Sequence, residues 1–194
     1  KQSRKYRFYL TYSKAVLHER LEIQEGTALI YPLSAMGAHV SDCPNHTVGR
    51  VTPFETRGHV ALAGTFGYEL DVTRIPEEDR KMIPQQVEMY HKYHELIREG
   101  DYYRIASYRV NHLYDCWAVA SEDKSEVLVT YVQVLGVPNA ITRKIYLDGF
   151  EEKALYRLDG TEEIYTGSML MKAGFLVRGL HGDFRSKLFH FTRV

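Results

Sequence analysis

The sequence predicts an α/β region followed by an all-β region, and three observations carry that prediction. An amphipathic helix precedes a hydrophobic strand early in the chain, which is the usual order of an α/β unit. Helical spacing of apolar residues then continues to Gly100. Beyond Gly100 the spacing changes to two, which is typical of strands. We therefore predict one domain over residues 1–100 and a second over residues 101–194.

The first region begins with a predicted helix from Ser13 to Gly26. Ser13 suits the N-cap and Gly26 the C-terminal end of a helix. Apolar residues recur between charged ones at Val16, Leu17, Leu21 and Ile23. A run of small and apolar residues over 34–40 follows, and its length is that of a buried strand.

Two further helices are predicted before residue 100. Residues 56–70 indicate a weak helix that is broken by Gly64 and Gly67. These glycines would permit close packing on a neighbouring element that the sequence does not identify. Residues 75–100 carry acidic residues at their start and apolar residues at helical spacing, which predicts a long amphipathic helix. Pro84 should kink or restart that helix because proline has no backbone N–H to donate.

The second region is predicted to be an antiparallel β-sandwich. Its β-branched and aromatic segments are separated by Asp-Gly, Asp-Lys and Gly turns, as antiparallel strands usually are. Trp117 and Phe189 are the predicted anchors of its core. The predicted strands lie near residues 102–106, 117–121, 127–135, 144–147, 154–158 and 187–192.

A polar loop over 41–50 follows the predicted buried strand, and it contains the first candidates for a functional site. In barrels of repeated strand-helix units, polar residues just past the carboxyl end of a strand are where chemistry takes place. The candidates are Asp42, Asn45, His46 and Arg50. Asp and Asn also close turns on their own backbone, so a purely turn-forming role is an open alternative.

Charge and hydropathy exclude several classes of partner. The chain has 25 basic and 25 acidic residues and no net charge, which argues against nucleic acid and anionic membrane surfaces as partners. No apolar run approaches the roughly 20 residues of a membrane helix, and the basic N-terminus leads into aromatic residues rather than a signal-peptide core. We expect a soluble, cytoplasmic protein.

The cysteines and histidines do not indicate a metal or redox site. Cys43 and Cys116 are far apart in sequence and neither belongs to a zinc-binding or redox motif, which favours a reducing compartment. His91 and His94 are a helical pair without a nearby third ligand, and we interpret them as a surface pair. No metal or other cofactor is predicted.

Several long motifs in the chain resemble one enzyme family. Residues 25–72 contain E-G-T-A-L-I-Y-P-L-S-A-M-G-A-H-V-S-D-C-P-N-H, V-G-R-V-T-P-F-E-T-R-G and A-G-T-F-G-Y-E-L-D-V. Later segments read Y-H-E-L-I-R-E-G-D-Y-Y-R-I, S-E-D-K-S-E-V-L-V-T-Y-V-Q-V-L, L-Y-R-L-D-G and G-D-F-R-S-K-L-F-H. From about residue 19 onward, the chain closely resembles the bacterial α-galactosidases of glycoside hydrolase family 36.

This resemblance implies a fold and a function. In that family a (β/α)8 barrel is followed by a small β-sandwich, so the chain resembles the last barrel units plus the C-terminal sandwich. Residues 34–40 would be the final barrel strand, and Asp42, Asn45 and His46 would bind substrate on the catalytic face. The implied activity is removal, with retention of configuration, of terminal α-linked galactose from oligosaccharides such as melibiose and raffinose.

The resemblance does not extend to the two catalytic carboxylates that a retaining glycosidase needs. The family's nucleophile lies in a Lys-Trp-Asp-Met-Asn-Arg motif that this chain lacks. Its acid/base aspartate lies in a Thr-Ser-Asp-Asn-Thr-Asp segment, and the corresponding stretch here has no acidic residue between Lys1 and His18. No catalytic residue is assigned, and we expect the chain to be a C-terminal fragment that is inactive alone.

The alternative is a non-catalytic module with a structural, oligomerisation or sugar-binding role. Tyr102, Tyr103, Tyr108 and Tyr114 cluster near the start of the predicted sandwich, where exposed rings could stack on sugars or simply pack in the core. The first hundred residues are expected to expose an apolar strand edge. We therefore expect homo-oligomers or association with the rest of a barrel.

Overall fold

The computed structural model describes residues 17–139 and 142–194, and the chain divides into two compact units, Lys1–Arg98 and Glu99–Val194. The first unit combines helices with a two-stranded parallel sheet. In chain order it contains helix α1 (Leu17–Ala28), a 3-10 turn (Leu33–Ala35), strand β1 (Gly37–Ser41), helix α2 (Phe54–Ala61), strand β2 (Thr65–Glu69) and helix α3 (Glu77–Glu99). Among the described residues, no helix has the length and apolarity that a membrane crossing requires.

Helix α1 confirms the first predicted helix but ends later than expected. Gly26 lies inside the helix, which continues to Ala28, and the Thr27 hydroxyl donates to the Ile23 carbonyl at 2.8 Å. The predicted N-cap, Ser13, lies outside the described residues. The buried face also includes Gln24, whose amide donates to the Val60 carbonyl at 3.3 Å.

The region after α2 corrects the prediction of a helix over 56–70. Helix α2 ends at Ala61, and β2 follows as a strand parallel to β1, with Gly37 opposite Thr65 and Ser41 opposite Glu69. The glycine-rich segment is a poor helix former, and pairing with β1 determines its conformation. The predicted strand over 34–40 likewise starts later, at Gly37, because a 3-10 turn precedes it.

Gly64 shows why a small residue precedes β2. A Cβ atom at this position would lie 2.5 Å from the Met36 carbonyl oxygen, so only glycine fits at this approach to the residue before β1. The predicted close packing at Gly64 is therefore confirmed, and the partner that the sequence did not identify is the chain at Met36.

Helix α3 confirms the long predicted helix and continues through Pro84 without restarting. Gln86 on this helix is buried, donates to the Phe54 carbonyl at 3.0 Å and accepts from the Tyr68 hydroxyl at 2.9 Å. These bonds connect α3 to α2 and β2. Gly58 makes room for the amide, since a Cβ there would lie 2.4 Å from Gln86 Nε2.

His59 gives the first unit a predicted pH dependence. It lines a cavity of about 120 Å³ between α2 and α3, together with Glu55, Met82, Gln85, Gln86 and Met89. Burial lowers the pKa of His59 from 6.5 to about 4. Below about pH 6.5 the unfolded chain therefore binds a proton that the folded chain does not bind until about pH 4. The free energy of unfolding should fall through this window, by up to about 3 kcal/mol.

Urea unfolding followed by far-UV circular dichroism tests this expectation, because the long helices belong to the first unit. His59→Gln should flatten the fall in stability between pH 6.5 and 4. His91→Gln, which changes an exposed histidine on α3, should leave it unchanged. Identical pH profiles for the two variants would contradict the assignment to His59.

The second unit is built from antiparallel sheets and contains a short helix, α4 (Tyr108–Asn111). A six-stranded sheet has the order β3-β4-β5-β10-β7-β8, and β6 pairs with β9 in a two-stranded sheet. The strands are β3 (Asp101–Ala106), β4 (Tyr114–Ala120), β5 (Glu126–Gln133), β6 (Thr142–Ile145), β7 (Leu155–Leu158), β8 (Ile164–Thr166), β9 (Phe175–Arg178) and β10 (Arg185–Arg193). A π-helical turn, Met169–Ala173, precedes β9.

The core of this unit lies between the two sheets. Fully buried Tyr131 and Phe191 of the large sheet belong to one apolar cluster with Ile145 and Val177 of the small sheet. This is the packing of a sandwich.

The two predicted core anchors occupy different environments. Trp117 is buried, but it alternates with the core-facing Cys116 and Ala118 and so points to the opposite face of β4. Phe189 is only partly buried and packs against the edge of the core, whereas Phe191 on the same strand is fully enclosed.

The tyrosines near the start of this unit are largely used in packing. Tyr103 and Tyr114 pack against the apolar cluster, and Tyr114 stacks on Tyr131 with ring centroids 5.4 Å apart. Tyr108 makes an edge contact with His112. This arrangement gives no support to a sugar-binding platform of exposed rings.

Candidate functional site

A cavity of about 90 Å³ lies at the carboxyl end of β1. The segment that we call the 42–52 loop, which joins β1 to α2, contributes most of its lining. Its lining residues in the loop are Asp42, Cys43, Pro44, Asn45, His46, Arg50 and Thr52. The remaining residues come from α1 (Leu17 and Arg20), β1 (His39 and Ser41) and α2 (Arg57 and Val60).

The structure brings all the sequence candidates to this one cavity. Asp42 and His46 are exposed, whereas Asn45 and Arg50 are partly buried. A side chain from a loop can reach this position because the parallel strand β1 ends at Ser41 and directs the following residues to one end of the unit.

The turn-forming interpretation of the loop is also confirmed. The Asp42 carboxylate accepts from the Cys43 amide at 2.9 Å. The Asn45 side-chain oxygen accepts from the amides of Thr47 and Val48 at 3.0 and 3.1 Å. These bonds shape the loop, but a carboxylate can accept several hydrogen bonds, so Asp42 retains capacity for a ligand. The two interpretations are therefore compatible.

Three arginines surround the cavity with hydrogen-bond donors. Arg20 donates to the Ser41 hydroxyl at 2.8 Å, and Arg57 donates to the Ser41 carbonyl at 2.7 Å. Arg50 lies 2.8 Å from His18 Nδ1, which must accept because a guanidinium can only donate. Burial lowers the pKa of Arg20, and the nearby Glu69 carboxylate partly offsets this effect. Arginine nevertheless stays charged at any physiological pH.

Arg20 and Arg57 were missed by sequence reasoning. Each lies within a predicted helix, where a charged residue is ordinarily read as part of a solvated face. The signal that could have identified Arg57 is its position shortly after Pro53, which starts α2 and so places the first turn of that helix at the end of the 42–52 loop.

The carboxylate content of the site limits its chemistry. Among the described residues that line the cavity, Asp42 is the sole carboxylate. Cleavage by a retaining glycosidase needs two carboxyl groups about 5 to 5.5 Å apart. The cavity thus offers donors and acceptors for hydroxyl groups but not the pair of acids that hydrolysis requires.

The described residues contain no cluster of three or more His, Cys, Asp or Glu side chains arranged to hold a metal ion. Both cysteines are free thiols. Cys116 is fully buried in the sandwich core, and burial raises the pKa of its thiol. Cys43 is partly buried in the loop, where its sulfur lies 3.4 Å from the Thr52 amide nitrogen.

A polar cavity at the carboxyl end of a parallel strand and a β-sandwich unit fit the class of glycoside hydrolases, and two family matches assign the chain to that class. Residues 12–100 match the Melibiase family, and residues 114–191 match the glycosyl hydrolase family 36 C-terminal domain. The chain belongs to glycoside hydrolase family 36.

The chain is also similar in sequence to alpha-galactosidases, which agrees with this assignment. Alpha-galactosidase AgaA of Geobacillus stearothermophilus is 43% identical over 176 residues, which cover 90% of this chain and 24% of the relative. The bifunctional alpha-galactosidase/sucrose kinase AgaSK of Mediterraneibacter gnavus is 39% identical, over 90% of this chain and 19% of its own length. The chain therefore spans about a quarter or less of the relatives that it matches.

Solved structures show the same likeness in three dimensions. The galactosidase domain of AgaSK superimposes with a TM-score of 0.86 at 39% identity, covering 90% of this chain and 24% of that domain. Geobacillus AgaA gives a TM-score of 0.84 at 43% identity, with the same coverage. Variants of AgaA have been solved in complex with raffinose and with stachyose.

Proposed function

We propose that the chain contributes the end of the catalytic barrel and the adjoining β-sandwich to an α-galactosidase. The enzyme would release terminal α-linked galactose, with retention of configuration, from oligosaccharides such as melibiose and raffinose. The observation that carries this proposal is the convergence of Asp42, Asn45 and His46 on one cavity at the carboxyl end of β1. The β1-α2-β2 unit, with its parallel strands, supports the barrel assignment.

The three loop residues suit the recognition of a sugar. The Asp42 carboxylate can accept hydrogen bonds from sugar hydroxyls, and the Asn45 amide and His46 ring can each donate and accept. Charged acceptors form the stronger hydrogen bonds, so Asp42 should dominate the affinity. All three residues are proposed as substrate-binding and none as catalytic.

Hydrolysis itself is proposed to depend on carboxylates that this chain does not contain. Asp42 alone could supply at most one half of a two-carboxylate mechanism. The proposed mechanism requires no metal or other cofactor, since two carboxylates provide the nucleophile and the acid/base. The isolated chain should therefore be inactive towards α-galactosides.

Association with further barrel strands is part of the proposal. Parallel strands are ordinarily covered on both faces, and within residues 17–139 and 142–194 the parallel sheet consists of β1 and β2 alone. Exposed Leu29, Ile30 and Val51 add apolar surface to the first unit. We propose that another segment of barrel, or a second copy of the chain, covers this surface, and that the protein resides in the cytoplasm.

A segment exchange tests the proposed function. In Geobacillus AgaA, the segment that aligns with this chain would be replaced by the matching residues of this chain, giving a protein that we call the graft. The graft should hydrolyse an aryl α-galactoside, whereas AgaA lacking the segment and the purified 194-residue chain should not. A graft that is folded by circular dichroism but no more active than truncated AgaA would overturn the proposal.

A further inference from the structure

Arg57 holds together the two ends of the 42–52 loop. Its Nη1 donates to the carbonyl of Ser41, the last residue before the loop, at 2.7 Å. Its Nε donates to the carbonyl of Thr52, the last residue of the loop, at 3.1 Å. One planar guanidinium thus connects both ends of the segment that presents Asp42, Asn45 and His46.

The guanidinium is itself held in place from two sides. Nη2 donates to the Asp79 carboxylate of α3 at 3.1 Å, and the Arg57 side chain is only 10% exposed. The guanidinium carbon lies 4.9 Å from the centre of the Phe54 ring. A rigid fork with paired charge and a stacked ring loses little freedom when it bonds. A lysine in its place could not reproduce this geometry, because its ammonium is a single point of charge.

A second contact also joins the start and the end of the 42–52 loop. The Thr52 amide donates to the Cys43 sulfur at 3.4 Å, so the start and the end of the loop also meet through the thiol. The accessibility of Cys43 therefore reports whether the two ends stay together. Cys116 is fully buried in the second unit, so its labelling reports unfolding of that unit separately.

We propose that Arg57 is a positioning residue, which fixes the geometry of the loop and through it the orientation of Asp42, Asn45 and His46 towards a sugar. The identity of the ligand as a sugar rests on the proposed function. The role of Arg57 in fixing the two ends of the loop does not depend on it. Arg57 acts through its bonds to Ser41 and Thr52, and Asp79 supports it from α3.

The alkylation rate of Cys43 in the full chain tests directly whether Arg57 holds the two ends of the 42–52 loop together. Arg57→Lys should raise the rate about tenfold or more, since charge-assisted hydrogen bonds to both loop ends are lost. Asp79→Asn should raise it less, because Arg57 remains. Arg80→Lys is the matched control, since Arg80 also donates to backbone carbonyls, those of Val72, Thr73 and Ile75, but outside this loop.

Two further readouts separate positioning from a general loss of stability. The far-UV circular dichroism of Arg57→Lys, which reports the helices of the first unit, should match that of the parent chain. In Arg57→Ala, added ethylguanidinium should slow Cys43 alkylation again by occupying the vacated position. A Cys43 rate that is unchanged in Arg57→Lys, or that rises equally in Arg80→Lys, would overturn the proposal.

In the graft, the same variants test whether the position of the 42–52 loop affects the reaction with substrate. There, Arg57→Lys should lower kcat/KM about tenfold, chiefly through KM, while Arg80→Lys changes little. The graft could be inactive while Arg57→Lys still raises the alkylation rate of Cys43 in the full chain. This result would contradict the proposed function but support the positioning role of Arg57. If Arg57→Lys leaves the alkylation rate of Cys43 unchanged, the positioning role of Arg57 is contradicted, whether or not the graft is active.

Discussion

Replacing Phe191 with alanine is expected to lower the free energy of unfolding of the second unit by about 3–5 kcal/mol. Phe191 is fully buried, and its ring makes edge contacts with Phe150 and Phe175 at centroid distances of 5.3 and 5.6 Å. Because strands from two sheets hold the surrounding side chains, the resulting cavity can close only partly. Denaturant unfolding followed by the fluorescence of the single tryptophan, Trp117, measures the loss in this unit.

Phe189→Ala is the matched control for this prediction. Phe189 lies two residues earlier on β10 and on the same face, but it is only partly buried and its ring contacts Phe175 at 4.9 Å. Its loss should cost about 1–2 kcal/mol, because less apolar surface returns to water. Equal losses for the two variants would show that the core is not centred on Phe191.

Changing Asp42 to alanine in the graft is expected to lower kcat/KM by about 10- to 100-fold. A carboxylate that accepts a hydrogen bond from a sugar hydroxyl contributes about 1.5–3 kcal/mol, and tenfold corresponds to about 1.4 kcal/mol. Initial rates with raffinose at several concentrations measure the effect. Asp42→Asn should cost less than Asp42→Ala, since the amide oxygen can still accept.

Asp71→Ala separates ligand binding from turn formation. Asp71 is also an exposed aspartate in the first unit, and it closes a turn by accepting from the amide of Thr73 at 3.0 Å. It does not line the cavity, so its loss should leave kcat/KM within about twofold. If both aspartate variants lowered kcat/KM equally, Asp42 would have only a turn-forming role.

Much of the fold could be predicted from the periodicity of apolar residues and from the turn residues in the sequence. The long helix over Glu77–Glu99 and the strands β3, β4, β5, β7 and β10 were predicted because their periodicity extends over many residues or is bounded by turns. The strands β8 and β9 were missed. Each has only three or four residues, which is too short for a period to be recognised. The equally short β7 was identified with the help of the Asp-Gly turn that follows it.

The errors in the first unit have a different cause. The segment that became β2 contains two glycines and little local preference, so its strand conformation is set by pairing with β1. Gly26 did not end α1, although glycine usually favours a helix end. Local propensity could not anticipate the conformation of β2, because it depends on pairing with β1.

The candidate site was partly predictable for a physical reason. Asp42, Asn45, His46 and Arg50 are adjacent in sequence, so identifying one loop identified all four. Arg20 and Arg57 join the same cavity from two helices, and only the folded structure reveals that α1 and α2 place them there. Their contribution depends on distance in space, which a single sequence does not contain.

A crystal structure of the graft with a bound galactose-containing oligosaccharide, such as raffinose, would test whether the 42–52 loop binds the sugar. We predict that the Asp42 carboxylate lies within about 3.2 Å of a sugar hydroxyl, with Asn45 and His46 lining the same subsite. A sugar bound productively in an active graft, with the 42–52 loop beyond hydrogen-bonding distance of every hydroxyl, would contradict it.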